Sequence, residues 1–392
     1  MPDNDSKITV VIVISNLEYG GAQRQVVELA NHIDASRTDL HICSFSRYVP
    51  LAALLDRSAS HLHVIEKHYK FDLTVVPRLA FLLKKLKADV VHGYLFDAEI
   101  AARLAGRMAG TAAVGNSERN TDYTFKPLQL YAHRLTRRWV DFYIANSNSG
   151  ARFSQRALQN APELYYTVHN GVDTRRFAPR DGTAIRASLG LDPAEFVVGM
   201  FGSFKAQKNH PLLFEAARRV LDQHPRSRFL LVGDQLAGGL HGSDAYKLRM
   251  LELVRTLDLE RHCVFAGNRT DVEELYAACD VTVLPSLFEG TPNVALESMA
   301  SGVPVVATDV SDNAYVIRDG ETGYLVGPGD PERLADRLLA LALDPELRAA
   351  MGAKGRRRVE QEFSCSRLAE KTEAVYRDVL GLPANAAHLK SY

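Results

Sequence analysis

Glu289 and Glu297 stand with seven residues between them in FEGTPNVALESMASGVPVV (288–306), a run otherwise made of apolar and small side chains. Unpaired burial of a carboxylate is costly, so two of them in such company call for partners, and the neutral hydroxyls of a sugar or a ribose would supply paired hydrogen bonds. A solvated cap and a solvated helix position would account for the same two residues equally well. Thr291 reads as an N-cap and Pro292 as the first helical residue, where its missing N–H is harmless. The N–H groups of Asn293 and Val294 then point out of the helix start, with Gly290 just ahead of them, and form a phosphate seat. A second stretch, GSFKAQKNHPLLFEAARRV (202–220), sets Lys205 and Lys208 before an amphipathic helix that starts near Asn209. Two ammonium groups there suit a diphosphate, since Lys meets phosphate as a point charge; solvated loop lysines are the plainer alternative.

The elements that must hold these residues follow from periodicity. Short β-branched runs alternate with longer amphipathic segments: ITVVIVIS (8–15), a helix from about Ala22 to Ile33, then DLHICSF (39–45), ADVVHGY (88–94) and DFYIANS (141–147). The pattern restarts with EFVVGMFGS (195–203), RFLLVGD (228–234), CVFAGN (263–268), DVTVLPS (280–286) and VPVVATD (303–309). Such alternation predicts an α/β protein with two doubly wound, Rossmann-like domains facing a central cleft. Ligands of such sheets bind beyond the carboxyl ends of strands, where both candidate stretches lie. The boundary falls in the Pro, Gly and Arg-rich stretch near 171–194, giving domains of 1–175 and 176–365, with 366–392 as a last helix and tail.

At 392 residues the chain exceeds one ordinary core and fits two domains. Lys plus Arg and Asp plus Glu are both 47, which gives no support to a nucleic-acid binder. The balance hides an asymmetry, because residues 1–180 hold 23 basic and 17 acidic side chains. The more basic half is the one to place near an anionic partner or membrane. Cys43, Cys263, Cys279 and Cys365 lie far apart without a Cys-x-x-Cys pair, so no zinc site or disulfide framework is expected and a reducing cytosol suits them. The apolar run after the polar start is seven residues long, too short for a signal peptide or span, and no later window is long enough to span a membrane.

With its ordered neighbours, the Glu-x7-Glu spacing resembles the signature of glycosyltransferase family 4, retaining enzymes of the GT-B fold. The resemblance runs along nearly the whole chain: GGAQR (20–24), NSNSGARF (146–153), NGVDTRRFAP (170–179), KNHPLLFEA (208–216), LLVGD (230–234), FAGNRTDVEELYAACDVTVLPS (265–286) and DGETGYLVGPGD (319–330). It implies that Glu297 holds ribose hydroxyls, that Lys208 and the N–H groups of Asn293 and Val294 hold the diphosphate, and that Glu289 contacts the donor sugar. Gly21 would let the backbone approach the diphosphate from the other domain, a use that fits glycine, although a plain strand-to-helix turn also explains it. Arg24 follows on the same helix as an acceptor-side candidate. Arg269 and Thr270 lie near where the family seats the base. Two departures stand out. Ser203 occupies the place of a usual Arg, with Lys205 as the candidate substitute, and the region of a usual His reads VGNSERNTDY (114–123), offering Arg119 or Glu118. His92 is a further acceptor-side candidate, or a structural histidine.

The implied reaction moves a sugar from a nucleotide diphosphate sugar, UDP-sugar favoured, to a hydroxyl acceptor with configuration retained, through an oxocarbenium-like transition state. Lys208 and Lys205 would stabilise charge growing on the leaving diphosphate. No metal or other cofactor is expected, because Asp3 and Asp5, the only Asp-x-Asp, sit in a polar tail. YAHRLTRRWVDFY (131–143) surrounds Trp139 with Arg134, Arg137 and Arg138 and reads either as a membrane-surface segment or as an ordinary amphipathic helix. A lipid-linked or cell-surface glycan acceptor and a cytoplasmic, peripherally membrane-bound location follow from the resemblance alone. The last helix, 366–380, would by the same resemblance cross back to the first domain. Three other classes compete. An NAD dehydrogenase would need Gly-x-Gly-x-x-Gly, which neither first turn has. An epimerase would convert donor without acceptor, and a non-catalytic partner subunit would have lost the intact Glu289, Glu297 and Lys208.

Overall fold

The computed structural model describes residues 7–56, 60–69, 72–119, 126–234, 243–384 and 386–390. Two compact units emerge, one of residues 1–171 with 365–392 and one of 172–364. The breaks lie at 171/172 and 364/365 rather than after 175 and 365. Asp3 and Asp5, and residues 120–123 of the stretch read for acceptor-side groups, lie outside the described residues.

The first unit is a parallel sheet of β1 (Ile8–Ile14), β2 (Thr38–Ser44), β3 (Ser60–Val64), β4 (Val90–Tyr94), β5 (Ala113–Glu118), β6 (Phe142–Ala145) and β7 (Tyr165–Thr167). Its order is β3-β2-β1-β4-β5-β6-β7. β1 is a nearly unbroken β-branched run because helices cover both sheet faces. On one face Val10, Ile12 and Ile14 pack with Val26 and Leu29 of the helix Gly21–His32. On the other, Val11 and Val13 pack with Leu79 and Ala102.

The second unit repeats the plan with β8 (Phe196–Phe201), β9 (Ser227–Val232), β10 (Cys263–Gly267), β11 (Val281–Leu284), β12 (Val305–Thr308) and β13 (Gly323–Val326). Their order is β10-β9-β8-β11-β12-β13, again all parallel. Both sheets therefore have the doubly wound order in which the first and fourth strands are neighbours and the direction of winding reverses. The crevice at that reversal is where such folds bind ligands. In the second unit it lies between β8 and β11, and in the first between β1 and β4.

The last helix, Cys365–Val379, belongs to the first unit and packs on the helix Gly21–His32. Leu368, Val375 and Tyr376 join the same apolar cluster as Ile12 and Leu29. Four strands were not among those expected from the sequence: β3, β5, β7 and β13. β3 reads SHLHV and β5 reads AVGNSE, polar compositions that hide a strand, and β7 is only three residues long. The segment 131–143 divides into a helix (Pro127–Thr136), a 3-10 turn (Arg137–Trp139) and the start of β6.

Candidate active site

The site of the second unit is built on the two loops that leave β8 and β11. After β8 the chain turns through Gly202 at a φ of +155°, and Gly233, at the end of β9, has a φ of +129°. A Cβ on Gly233 would lie 2.3 Å from the Gly202 carbonyl oxygen, so only glycine allows these two strand ends to approach so closely. Phe204 then buries its ring and stacks on His210 at 4.4 Å, which anchors the loop on both sides of the lysines. Lys205 precedes a 3-10 turn, Ala206–Lys208, and Asn209 adopts the left-handed conformation at a φ of +51° before the helix His210–Gln223. The loop is stitched to its neighbour after β11: the Leu287 N–H donates to the Gln207 carbonyl at 2.9 Å, and the Gln207 amide donates to the Phe288 carbonyl at 2.8 Å.

This stitching brings Lys208 and Glu289 together. The ammonium is 2.5 Å from Glu289 Oε1, and both side chains are mostly shielded, 13% and 12% exposed. Ser286 donates its hydroxyl to the same oxygen at 2.6 Å, and Ser311 accepts from the Glu289 N–H at 3.0 Å. Lys205 is half-buried beside them; burial and then the charge of Lys208 lower its pKa, while Glu289 opposes the shift. Two cations against one anion leave an excess positive charge at the crevice, the sign an anionic ligand requires. Ser203 lies on the same loop, half-buried.

The helix Asn293–Ala300 starts one residue later than the sequence suggests. Pro292, with ψ at 92°, is the N-cap rather than Thr291, and its carbonyl accepts from Ala295 at 3.0 Å and Leu296 at 3.2 Å. The N–H groups of Asn293 and Val294 thus precede the first helical bond, at the positive end of the dipole. Gly290 and the buried Thr291 lead into this turn. Further along, Glu297 accepts the hydroxyl of Tyr276 on Oε2 at 2.9 Å. Tyr276 is fully buried and stacks on Phe201 at 4.0 Å. Burial and the Glu297 charge raise its pKa well above the ordinary phenol, so it remains a donor. Arg269 is placed on a separate loop after β10, exposed, with its guanidinium forked onto Asp271 at 2.8 Å through Nε.

In the first unit Gly21 opens the helix after β1, with Gly20 as N-cap, and Arg24 lies 3.7 Å from Glu28 along that helix. Arg119, at the end of β5, donates to Asn170 at 2.6 Å and lies over the Tyr94 ring. His92 fits the structural of its two readings. It has no exposed surface, bonds to the Tyr376 hydroxyl at 2.8 Å through Nδ1 and packs on Tyr94 and Phe142. Burial, followed by the charge of Arg119, lowers its pKa to about 3. It is a neutral core imidazole. Glu118 is likewise internal, part of a buried network around Arg103. Arg103 donates to Thr136 at 2.8 Å and to the His133 carbonyl at 3.2 Å, and Asn116 lies at 3.4 Å. Burial pushes the carboxyl of the adjoining Glu99 up to about 8, with Glu118 adding to the shift and Arg103 opposing it.

Sequence reasoning missed Tyr276, Ser286, Ser311 and Gln207. Tyr276 resembled one more core aromatic of an amphipathic helix, and nothing in ELYAACD marks its hydroxyl as aimed at a carboxylate. Gln207 stands between the two lysines, and that position was its only signal.

The two doubly wound sheets define the two-Rossmann, GT-B fold class. Residues 19–176 match the profile described as Glycosyltransferase Family 4, and residues 181–358 match the profile of Glycosyl transferases group 1. The chain belongs to glycosyltransferase family 4 and is a glycosyltransferase. It is similar to the Escherichia coli UDP-Gal:alpha-D-GlcNAc-diphosphoundecaprenol alpha-1,3-galactosyltransferase, 28% identical over 97% of this chain and 99% of that one. It is also similar to the D-inositol 3-phosphate glycosyltransferase of Kribbella flavida, 30% identical over 86% of this chain and 76% of that protein. Among solved structures, Anabaena HepE in complex with UDP superposes with a TM-score of 0.82 at 22% identity, covering 95% of this chain and all of that one.

Proposed function

We propose that this glycosyltransferase moves a sugar, with anomeric configuration retained, from a UDP-sugar to a hydroxyl of a lipid-linked or growing cell-surface glycan. The observation that carries the reading is the shielded Lys208–Glu289 pair, stitched to Lys205 at the winding reversal of the second sheet. An ammonium has three donors, so Lys208 can hold Glu289 and still meet a phosphate oxygen. As the glycosidic bond lengthens, negative charge grows on the leaving diphosphate, and Lys208, Lys205 and the N–H groups of Asn293 and Val294 stabilise it where it develops. Ser203, in place of an arginine, leaves that charge to Lys205. Glu289, oriented by Lys208 and Ser286, accepts hydroxyls of the donor sugar and is given no nucleophilic role. Glu297, oriented by Tyr276, accepts the ribose hydroxyls, and Arg269 borders the base. Gly21 is proposed for diphosphate contact and Arg24 and Arg119 for acceptor contact, without a metal ion.

UDP-sugar use and a lipid-linked acceptor draw support from the Escherichia coli relative, whose name gives UDP-Gal as donor and a diphosphoundecaprenol-linked sugar as acceptor. No helix among the described residues is long and apolar enough to cross a membrane. Peripheral contact with an anionic bilayer, at its cytoplasmic face, is supported by the helix Pro127–Thr136. It exposes Leu128, Tyr131 and Leu135, spaced along one side, next to the exposed Lys126, Arg134 and Arg138.

The test is a thermal-shift panel of UDP-, GDP- and ADP-sugars on the full chain, with Glu297→Ala as control. A ligand that binds only the folded state must raise the apparent melting temperature. A UDP-sugar should do so, and the variant should lose about 1–3 kcal/mol of nucleotide affinity. Absence of any shift, or undiminished affinity in Glu297→Ala, would overturn the assignment.

A further inference from the structure

Three of the four cysteines are enclosed in apolar clusters, and burial raises their thiol pKa values, to about 12 for Cys43 and Cys263. Cys365 is different. It is the first residue of the helix Cys365–Val379, and its thiol is 3.4 Å from Glu28 Oε2 on the helix Gly21–His32. His32 follows Glu28 by four residues and so projects from the same side of that helix. Glu28, His32 and Cys365 each offer a ligand atom within 4.8 Å of the other two.

A second feature concerns the imidazole. His32 Nδ1 lies 2.8 Å from the Glu28 carbonyl oxygen. A carbonyl only accepts, so Nδ1 carries the proton and Nε2 keeps the lone pair of the neutral ring. Metal-bound histidines are commonly oriented in this way, by donating the other ring N–H to a backbone carbonyl. The carboxylate is also directed: its Oε1 lies towards Arg24, at 3.7 Å, and its Oε2 towards the sulfur. Cys365 is buried, Glu28 half-buried and His32 exposed, which gives an ion an approach from the imidazole side.

We propose that Glu28, His32 and Cys365 form a binding site for a thiophilic divalent transition metal, zinc being the ion that suits the set. Sulfur, nitrogen and carboxylate oxygen are the ligands zinc takes, three of them leaving a fourth tetrahedral position for water. Zinc bonds of about 2.0–2.3 Å place neighbouring ligand atoms about 3.6 Å apart; the sulfur and Glu28 Oε2 already stand at 3.4 Å, and any wider separation within the 4.8 Å set closes through side-chain rotation. On binding, the Cys365 thiol gives its proton to solvent and the thiolate takes the metal. The ion would staple the first turn of the last helix to the helix after β1, a function separate from sugar transfer.

The experiment is a Co2+ titration of the full-length, metal-stripped protein. A near-ultraviolet sulfur-to-cobalt charge-transfer band should develop, be displaced by Zn2+ and be absent in Cys365→Ser. His32→Ala and Glu28→Gln should each weaken binding by at least about tenfold. Histidines 41, 61 and 63 with Asp39 cluster at the β2–β3 edge and could also take cobalt, but they provide no sulfur and no such band. Absence of the band overturns the proposal. So does a band that survives Cys365→Ser, or affinity unchanged in both His32→Ala and Glu28→Gln.

Discussion

The two sheets have the same winding order, yet they use charge in opposite ways. In the second unit the charges of Lys205, Lys208 and Glu289 sit on loops at the winding reversal, shielded but at the surface. Among the described residues of the first unit the charge with least exposure is Arg103, with no exposed surface, surrounded by Glu99, Glu118, Asn116, His133 and Thr136. A buried guanidinium in such a network specifies packing, because it must find partners wherever the chain folds, whereas a loop ammonium can exchange its partner for a ligand. One topology thus supports two outcomes, decided by whether the polar groups lie under the helices or beyond the strand ends.

Three variants can break or sharpen this contrast. Arg103→Ala removes the buried donor to Thr136 and the His133 carbonyl, leaves a cavity, and should destabilise the first unit by about 3–5 kcal/mol. Chemical denaturation monitored by hydrogen exchange would show protection falling in β4–β6 and persisting in β8–β13; a uniform loss across both units would contradict the contrast. Lys208→Ala should behave oppositely. We expect turnover to fall about 100-fold or more, as for removal of a preorganised charge-stabilising donor, with a much smaller change in melting temperature. A matching collapse of stability and rate would make Lys208 a structural residue. The smallest effect concerns the surface of the first unit. Replacing Leu128 and Leu135 by Glu should abolish flotation with phosphatidylserine-containing vesicles while leaving nucleotide-induced stabilisation intact; unchanged flotation would remove the proposed membrane contact.

Legibility in the sequence followed the range of the interactions. The apolar runs of β1, β8 and β12 declare themselves because both faces of a parallel strand are buried. The two glutamates and Lys208 stood out because charged side chains interrupt an apolar or small-residue context. What joins them did not, since Gln207 meets Leu287 and Phe288, and Ser311 meets Glu289, only through long-range folding. Arg103 was invisible for the opposite reason. In FDAEIAARLAGRMA it has the look of an exposed position on an amphipathic helix, and its burial depends on the helix Pro127–Thr136 packing against it. His92 was open to two readings from a β-strand pattern, and the ring of Tyr376, 284 residues later, selects the structural one.

That distance has a consequence for biosynthesis. Tyr376, Leu368 and Val375 complete the apolar cluster built on β1, so the unit whose strands are synthesised first lacks part of its core until residues 365–379 emerge from the ribosome. The second unit, contiguous from 172 to 364, has no such dependence. Domains commonly fold in the order of their translation; here the domain begun second is the one whose residues are complete first, and the nascent first domain must wait for its last helix with apolar surface uncovered.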